Sequence, residues 1–158
     1  MEQRAVGAAP TANCQLPFLP VMTPCTTSYP CPMPKQVLST PSAPSALGPY
    51  SVAVEAAGLV FVSGQVAIEP STGARVEDDV VAQAKQIMTN IEAILGDVGL
   101  GFGDIVKTTI FLADMADFPK VNEVYGAAFT DQPPARSTVE VSALPGGFLV
   151  EIETIAAR

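Results

Sequence analysis

Histidine is absent from all 158 residues, and with it go the commonest proton shuttle near neutral pH and the commonest metal ligand. Zinc, haem and Ser-His-Asp chemistries therefore fit this chain poorly. The three cysteines, Cys14, Cys25 and Cys31, all precede Met33, so the remainder holds no thiol for a disulfide framework or a metal knuckle. Basic residues are also scarce. Eight Lys and Arg, scattered singly in a chain of net charge -8, form no stripe that could neutralise a phosphate backbone, which argues against nucleic acid as a partner. No apolar run approaches the roughly 18 residues that a membrane span requires, although the hydrophobic fraction, 48%, is ordinary for a folded domain.

Proline is unevenly spread. Ten of the fifteen lie within the first 49 residues, in stretches such as Pro30-Cys31-Pro32-Met33-Pro34 that sustain neither helix nor sheet. Residues 1–32 accordingly read as a disordered leader, and residues 33–158 as one domain. Pro17, Pro20 and Pro24 interrupt the leader's only apolar patch, which disfavours a signal peptide, and Arg4 with Ser28 is thin for a transit peptide. The expected location is the cytoplasm, with a mitochondrion or plastid as the alternative if the leader targets. A dispensable leader, or a true start at Met33, explains the same composition.

Beyond Pro49 two short apolar runs between Ser51 and Gly64 flank a turn at Ala57-Gly58 and predict a β-hairpin. From Asp79 to Val98, apolar residues recur at three- and four-residue steps from Val80 through Ile87, Ile91 and Leu95, with Gly99 as a stop: an amphipathic helix. Ile105 to Leu112 is β-branched and apolar enough for a buried strand. Asp117-Phe118-Pro119 then opens a second helix, ended by Gln132-Pro133-Pro134. Two last strands, about Arg136 to Ser142 and Leu149 to Ala156, flank a turn at Leu144-Pro145-Gly146-Gly147 and read as a C-terminal hairpin. The order ββαβαββ is that of an α+β layer with both helices on one sheet face.

The residues worth testing for chemistry are polar ones on strands that otherwise look buried. Arg136 starts a strand after two prolines, a rigid mount for a guanidinium that grips a carboxylate through two parallel hydrogen bonds. An ion pair with Glu140 or Glu153 at a strand edge accounts for it equally well. Glu151 and Glu153, two apart, project from one face and form either a catalytic pair or a solvated edge of the sheet. Ser63 and Gly64 end a strand where a ligand can approach bare backbone, or where the strand simply bulges. Tyr50 follows Gly48-Pro49 and either lines a pocket or packs its ring on the sheet; Asn122 on the second helix reaches a pocket or solvent. Gly99-Leu-Gly-Phe-Gly103 follows a helix and precedes a strand, the wrong order for a dinucleotide fingerprint.

Taken together, Gly48-Pro-Tyr50, Val62-Ser-Gly-Gln65, Gly103-Asp-Ile-Val-Lys107, Val121-Asn122, Pro134-Ala-Arg-Ser137 and Val150-Glu-Ile-Glu-Thr-Ile-Ala156 resemble the RidA (YjgF-like) family of enamine/imine deaminases, from about Met33 to Arg158. The resemblance implies a chorismate-mutase-like α+β fold, a homotrimer with sites in the clefts between subunits, and no cofactor. It implies that Arg136 binds a substrate carboxylate and that Glu151 holds and polarises the attacking water. Tyr50 and Asn122 would line the pocket, and backbone near Ser63, Gly64 and Thr138 would complete it. The implied substrates are 2-aminoacrylate, its imine tautomer and related imines, including 2-iminobutanoate and 2-iminopropanoate; the products are a 2-keto acid and ammonia. Thr138 stands where many members carry cysteine, which argues against thiol chemistry. A non-catalytic carboxylate-binding or chaperone-like trimer, and an RNA-directed ribonuclease or translation inhibitor, are the competing roles within such a family.

Overall fold

The computed structural model describes residues 34–129 and 131–158; the expected leader, residues 1–32, and all three cysteines lie outside the described residues. Six strands form one sheet: β1 (Gln36–Val37), β2 (Ala53–Ala56), β3 (Leu59–Gln65), β4 (Ile105–Leu112), β5 (Ala135–Glu140) and β6 (Val150–Ala157). Two helices, α1 (Val80–Asp97) and α2 (Phe118–Ala127), pack against it. Spatial order is β1-β2-β3-β6-β4-β5, antiparallel throughout except for the parallel pair β4/β5, which α2 connects.

Local chemistry explains most boundaries. Ala57 (φ 53°) and Gly58 (φ 74°) both sit in the left-handed region, the requirement of the two-residue turn that matches strand twist between β2 and β3. Asp79 caps α1 by accepting from the Ala82 amide at 2.7 Å. Gly99 at φ 76° ends it, allowing the Leu100 amide to reach back to the Leu95 carbonyl at 2.8 Å. The apolar stripe of α1 lies in the core: Ile87, Ile91, Ile94 and Leu95 are fully buried, each contributing about 1.5–3 kcal/mol relative to exposure.

Three expectations need correction. First, β5 and β6 are not a hairpin. β6 inserts antiparallel between β3 and β4, while β5 adds in parallel on the far side of β4. β6 alternates buried and less buried residues along its whole length and pairs on both edges, so the central slot covers more of its apolar face. β5 has no buried residue and takes the edge. Second, α2 ends at Ala127, before the proline pair; Gln132, at φ 48°, turns the chain into Pro133. Third, β1 is an extra strand, too short to leave a periodic signal.

Register decides which face each residue occupies. Buried Thr108, Ile110 and Leu112 of β4 lie opposite Thr154, Ile152 and Val150 of β6, all on the helix-covered face. The intervening residues, among them Phe111, Glu151, Glu153 and Ile155, face the other way, where no helix packs among the described residues.

Candidate functional site

Glu151 and Arg136 project from opposite faces of the sheet. Arg136 pairs in register with Thr108 and stacks on α2, its guanidinium carbon 4.8 Å from the Tyr125 ring centroid and 5.7 Å from that of Phe118. The Tyr125 phenol is anchored to Thr108 Oγ1 at 2.8 Å, so the ring beneath the guanidinium is held from the core side. Burial raises the Tyr125 pKa, against the opposing effects of that hydrogen bond and of Arg136, so the phenol stays neutral. Neither Glu140 nor Glu153 pairs with Arg136. Glu140 accepts from the Met115 amide at 2.8 Å, and Glu153 lies on the other face. Among the described residues Arg136 makes no ion pair, and it borders a cavity of about 340 Å³ with Asn122, Tyr125, Phe129 and Pro134.

On the helix-free face, Glu151 borders a second cavity of about 400 Å³ together with Leu47, Gly48, Tyr50, Ser63, Gly64, Val66 and Pro145. Its carboxyl lies against the Cα of Gly64, where β3 shifts register between Val62 and Gln65. A Cβ on Gly64 would overlap Glu151 Oε1 and sit 2.7 Å from Cδ, so only a glycine here lets this carboxyl keep its position. Half-burial, and then the charge of Glu153, raise the Glu151 pKa. Ser63 Oγ donates to the Ser51 carbonyl at 2.8 Å, which commits its proton to the wall, whereas Tyr50 Oη accepts from the Leu47 amide at 3.2 Å and keeps its own O–H to donate.

The expected site residues thus fall into two groups: Tyr50, Ser63, Gly64 and Glu151 around one cavity, Asn122 and Arg136 around the other. Thr138 borders neither; its hydroxyl is buried without a hydrogen-bond partner, two residues beyond Arg136 on the helix face. Tyr125 lies on the apolar face of α2 with Val121, and the one sequence signal that it meets something other than core is its polar tip. Leu47, Val66 and Pro145 come from loops whose positions no periodicity encodes. Among the described residues no cluster of carboxylate, cysteine or histidine side chains could hold a metal ion.

This fold, a mixed sheet with two helices on one face, is of the chorismate-mutase-like α+β class. Residues 40–158 match the family model described as Endoribonuclease L-PSP, and the chain belongs to that family, the RidA (YjgF-like) proteins. It is 48% identical over 124 residues to the 2-iminobutanoate/2-iminopropanoate deaminase of Mus musculus, covering 78% of this chain and 92% of the mouse protein. It is 49% identical over 122 residues to the chloroplastic Reactive Intermediate Deaminase A of Arabidopsis thaliana, covering 77% and 65%. The crystal structure of E. coli TdcF with bound serine superposes with a TM-score of 0.74 at 41% identity, covering 78% of this chain and 98% of that one.

Proposed function

We propose that this chain is an enamine/imine deaminase that hydrolyses 2-iminobutanoate, 2-iminopropanoate and similar imines to 2-keto acids and ammonia, without a cofactor. One observation carries the reading: a half-buried carboxyl, Glu151, notched into a glycine and facing a cavity, makes no ion pair among the described residues. The names of the mouse and Arabidopsis relatives, and the serine bound by TdcF, supply the substrate chemistry: a small molecule with a carboxylate and a nitrogen on the adjacent carbon.

In the reaction Arg136 holds the substrate carboxylate through its two-pronged guanidinium. Glu151 takes a proton from water as the oxygen bonds to the imine carbon and passes it to the imine nitrogen, giving a carbinolamine; it then takes the carbinolamine hydroxyl proton and delivers it to the amine nitrogen as the carbon–oxygen double bond forms and the carbon–nitrogen bond breaks. One water is consumed and one ammonia released. The imine carbon is already electrophilic, so positioning and one proton shuttle suffice. A raised pKa makes the Glu151 carboxylate a stronger base than a solvated glutamate.

Because Arg136 and Glu151 point away from each other, we assign the complete site to two copies of the chain, within a homotrimer. Its interface is the helix-free face, where Phe61 beside Ile155 and Phe111 beside Val139 form apolar pairs, with Phe61 38% and Val139 42% exposed. Tyr50, Ser63, Gly64 and Glu151 of one copy would meet Arg136, Asn122 and the backbone near Thr138 of the next. No helix among the described residues is long and apolar enough to cross a membrane. We take residues 1–32 as a leader on a cytoplasmic enzyme, with a mitochondrion or plastid as the alternative destination.

The family description names a ribonuclease, but a net charge of -8 and the absence of histidine oppose RNA binding and its usual acid–base cleavage. The test generates an imine in situ with an amino-acid oxidase and follows its decay. Wild-type protein should accelerate the decay and Arg136→Ala should not; equal rates with the two would overturn the assignment.

A further inference from the structure

The Glu151 cavity has one wall on a rigid strand and another on a turn, and the turn is held by a residue that touches neither cavity. Pro145 opens the turn, in which Gly146 (φ 66°) and Gly147 (φ 71°) are consecutive left-handed residues. The guanidinium of Arg75 reaches their backbone carbonyls: Nη1 donates to Gly146, and Nη2 donates to Gly147 at 2.8 Å while also meeting Asp78 Oδ1. Its carbon lies 4.5 Å over the ring of Phe148, a buried residue that fastens the end of the turn to the core.

Arg75 is itself carried on a short hairpin. Ile68 and Arg75 bridge, Glu69 and Ala74 pair at 2.9 Å, and the Val76 amide donates to Ala67 at 2.9 Å. That hairpin begins just after Val66, which also lines the Glu151 cavity. Arg75 therefore ties together the two loops that supply Val66 and Pro145. Glu151 is placed separately, by β6 pairing on both sides and by Gly64. Loosening the turn would move the apolar wall and leave the carboxylate where it is.

We propose that Arg75 is a positioning residue that clamps the Pro145 turn and so sets the side-chain length the Glu151 cavity accepts. The proposal deepens the deaminase reading and rests on it. A planar guanidinium with several fixed donors can serve two adjacent carbonyls and a carboxylate at once; a lysine ammonium offers no such fork and no flat face for Phe148.

The experiment compares wild-type protein, Arg75→Ala and Arg75→Lys on 2-iminopropanoate and 2-iminohexanoate, each made in situ by an amino-acid oxidase from alanine or norleucine. In Arg75→Ala, KM for the short imine should rise about tenfold with kcat unchanged, while the long imine should hold or gain, with Arg75→Lys between. Parallel changes in both constants for both imines, or no change in either, would overturn the proposal and leave Arg75 a purely structural residue. If wild-type protein turns over neither imine, the deaminase reading has failed, and amide exchange judges the clamp instead. Faster exchange confined to Gly147 and Leu149 in Arg75→Ala upholds it, and unchanged exchange there overturns it.

Discussion

At the scale of single residues, the role proposed for Glu151 sets catalysis against stability. Its pKa is raised first by burial and then by Glu153, so the folded state favours the protonated form relative to the unfolded chain. The associated stability is fully present below the unfolded pKa and is lost as pH rises through the folded one. Once ionised, the side chain therefore weakens the fold. Glu151→Gln should melt higher than wild type near about pH 7.5, and the difference should vanish below about pH 4, where an unfolded glutamate is also protonated. Thermal melts across that range check the sign. The same substitution should slow imine turnover by about 100-fold or more, since general acid–base help is worth that much, while binding of a 2-keto acid persists. The spacing of Glu151 and Glu153 predicted their common face but not which one matters. In the structure only Glu151 meets the Gly64 notch, whereas Glu153 is exposed and lines a different groove.

Among the elements, β3 and β6 meet at an irregularity: the register shift between Val62 and Gln65 brings Gly64 under the Glu151 carboxyl. Gly64→Ala should leave the chain folded, because the overlapped atoms belong to the far end of a side chain that can swing away, yet it should lower kcat at least tenfold by displacing that carboxyl. Circular dichroism alongside the imine assay separates the two effects; a folded variant with full turnover would show that Glu151 need not occupy the notch. The helices and the first hairpin were readable because their signals are local: a 3.6-residue period, an aspartate cap, a stop glycine, a two-residue turn. The partners of β5 and β6 were not. Both strands carry local strand patterns and a turn between them, and sequence neighbours pair by default. What separates them here is burial demand, which sends alternating β6 to the middle and β5, none of whose residues is buried, to the edge.

For the molecule as a whole, opposite-facing Arg136 and Glu151 make a decisive test available. Arg136→Ala and Glu151→Gln should each be nearly inactive alone. If each site takes its arginine from one copy and its glutamate from the next, unfolding and refolding the two together should restore about a quarter of the wild-type rate, the statistical share of sites with both intact. No recovery in refolded mixed oligomers would mean that both residues must come from one chain, or that one of them is not used. Size measurements on the same samples report the oligomer directly.

Composition alone excludes histidine-dependent chemistry and makes a polyanion partner unfavourable, because those conclusions need only a count of groups and charges. Motif order along the chain was enough to identify the family and to nominate Arg136 and Glu151 as site residues. Their separation is another matter. Which face a strand residue takes depends on register with strands distant in sequence, and β6 reaches its place only by slipping between β3 and β4. That pairing is a tertiary fact, and it puts two residues that read as one site on opposite faces of a sheet.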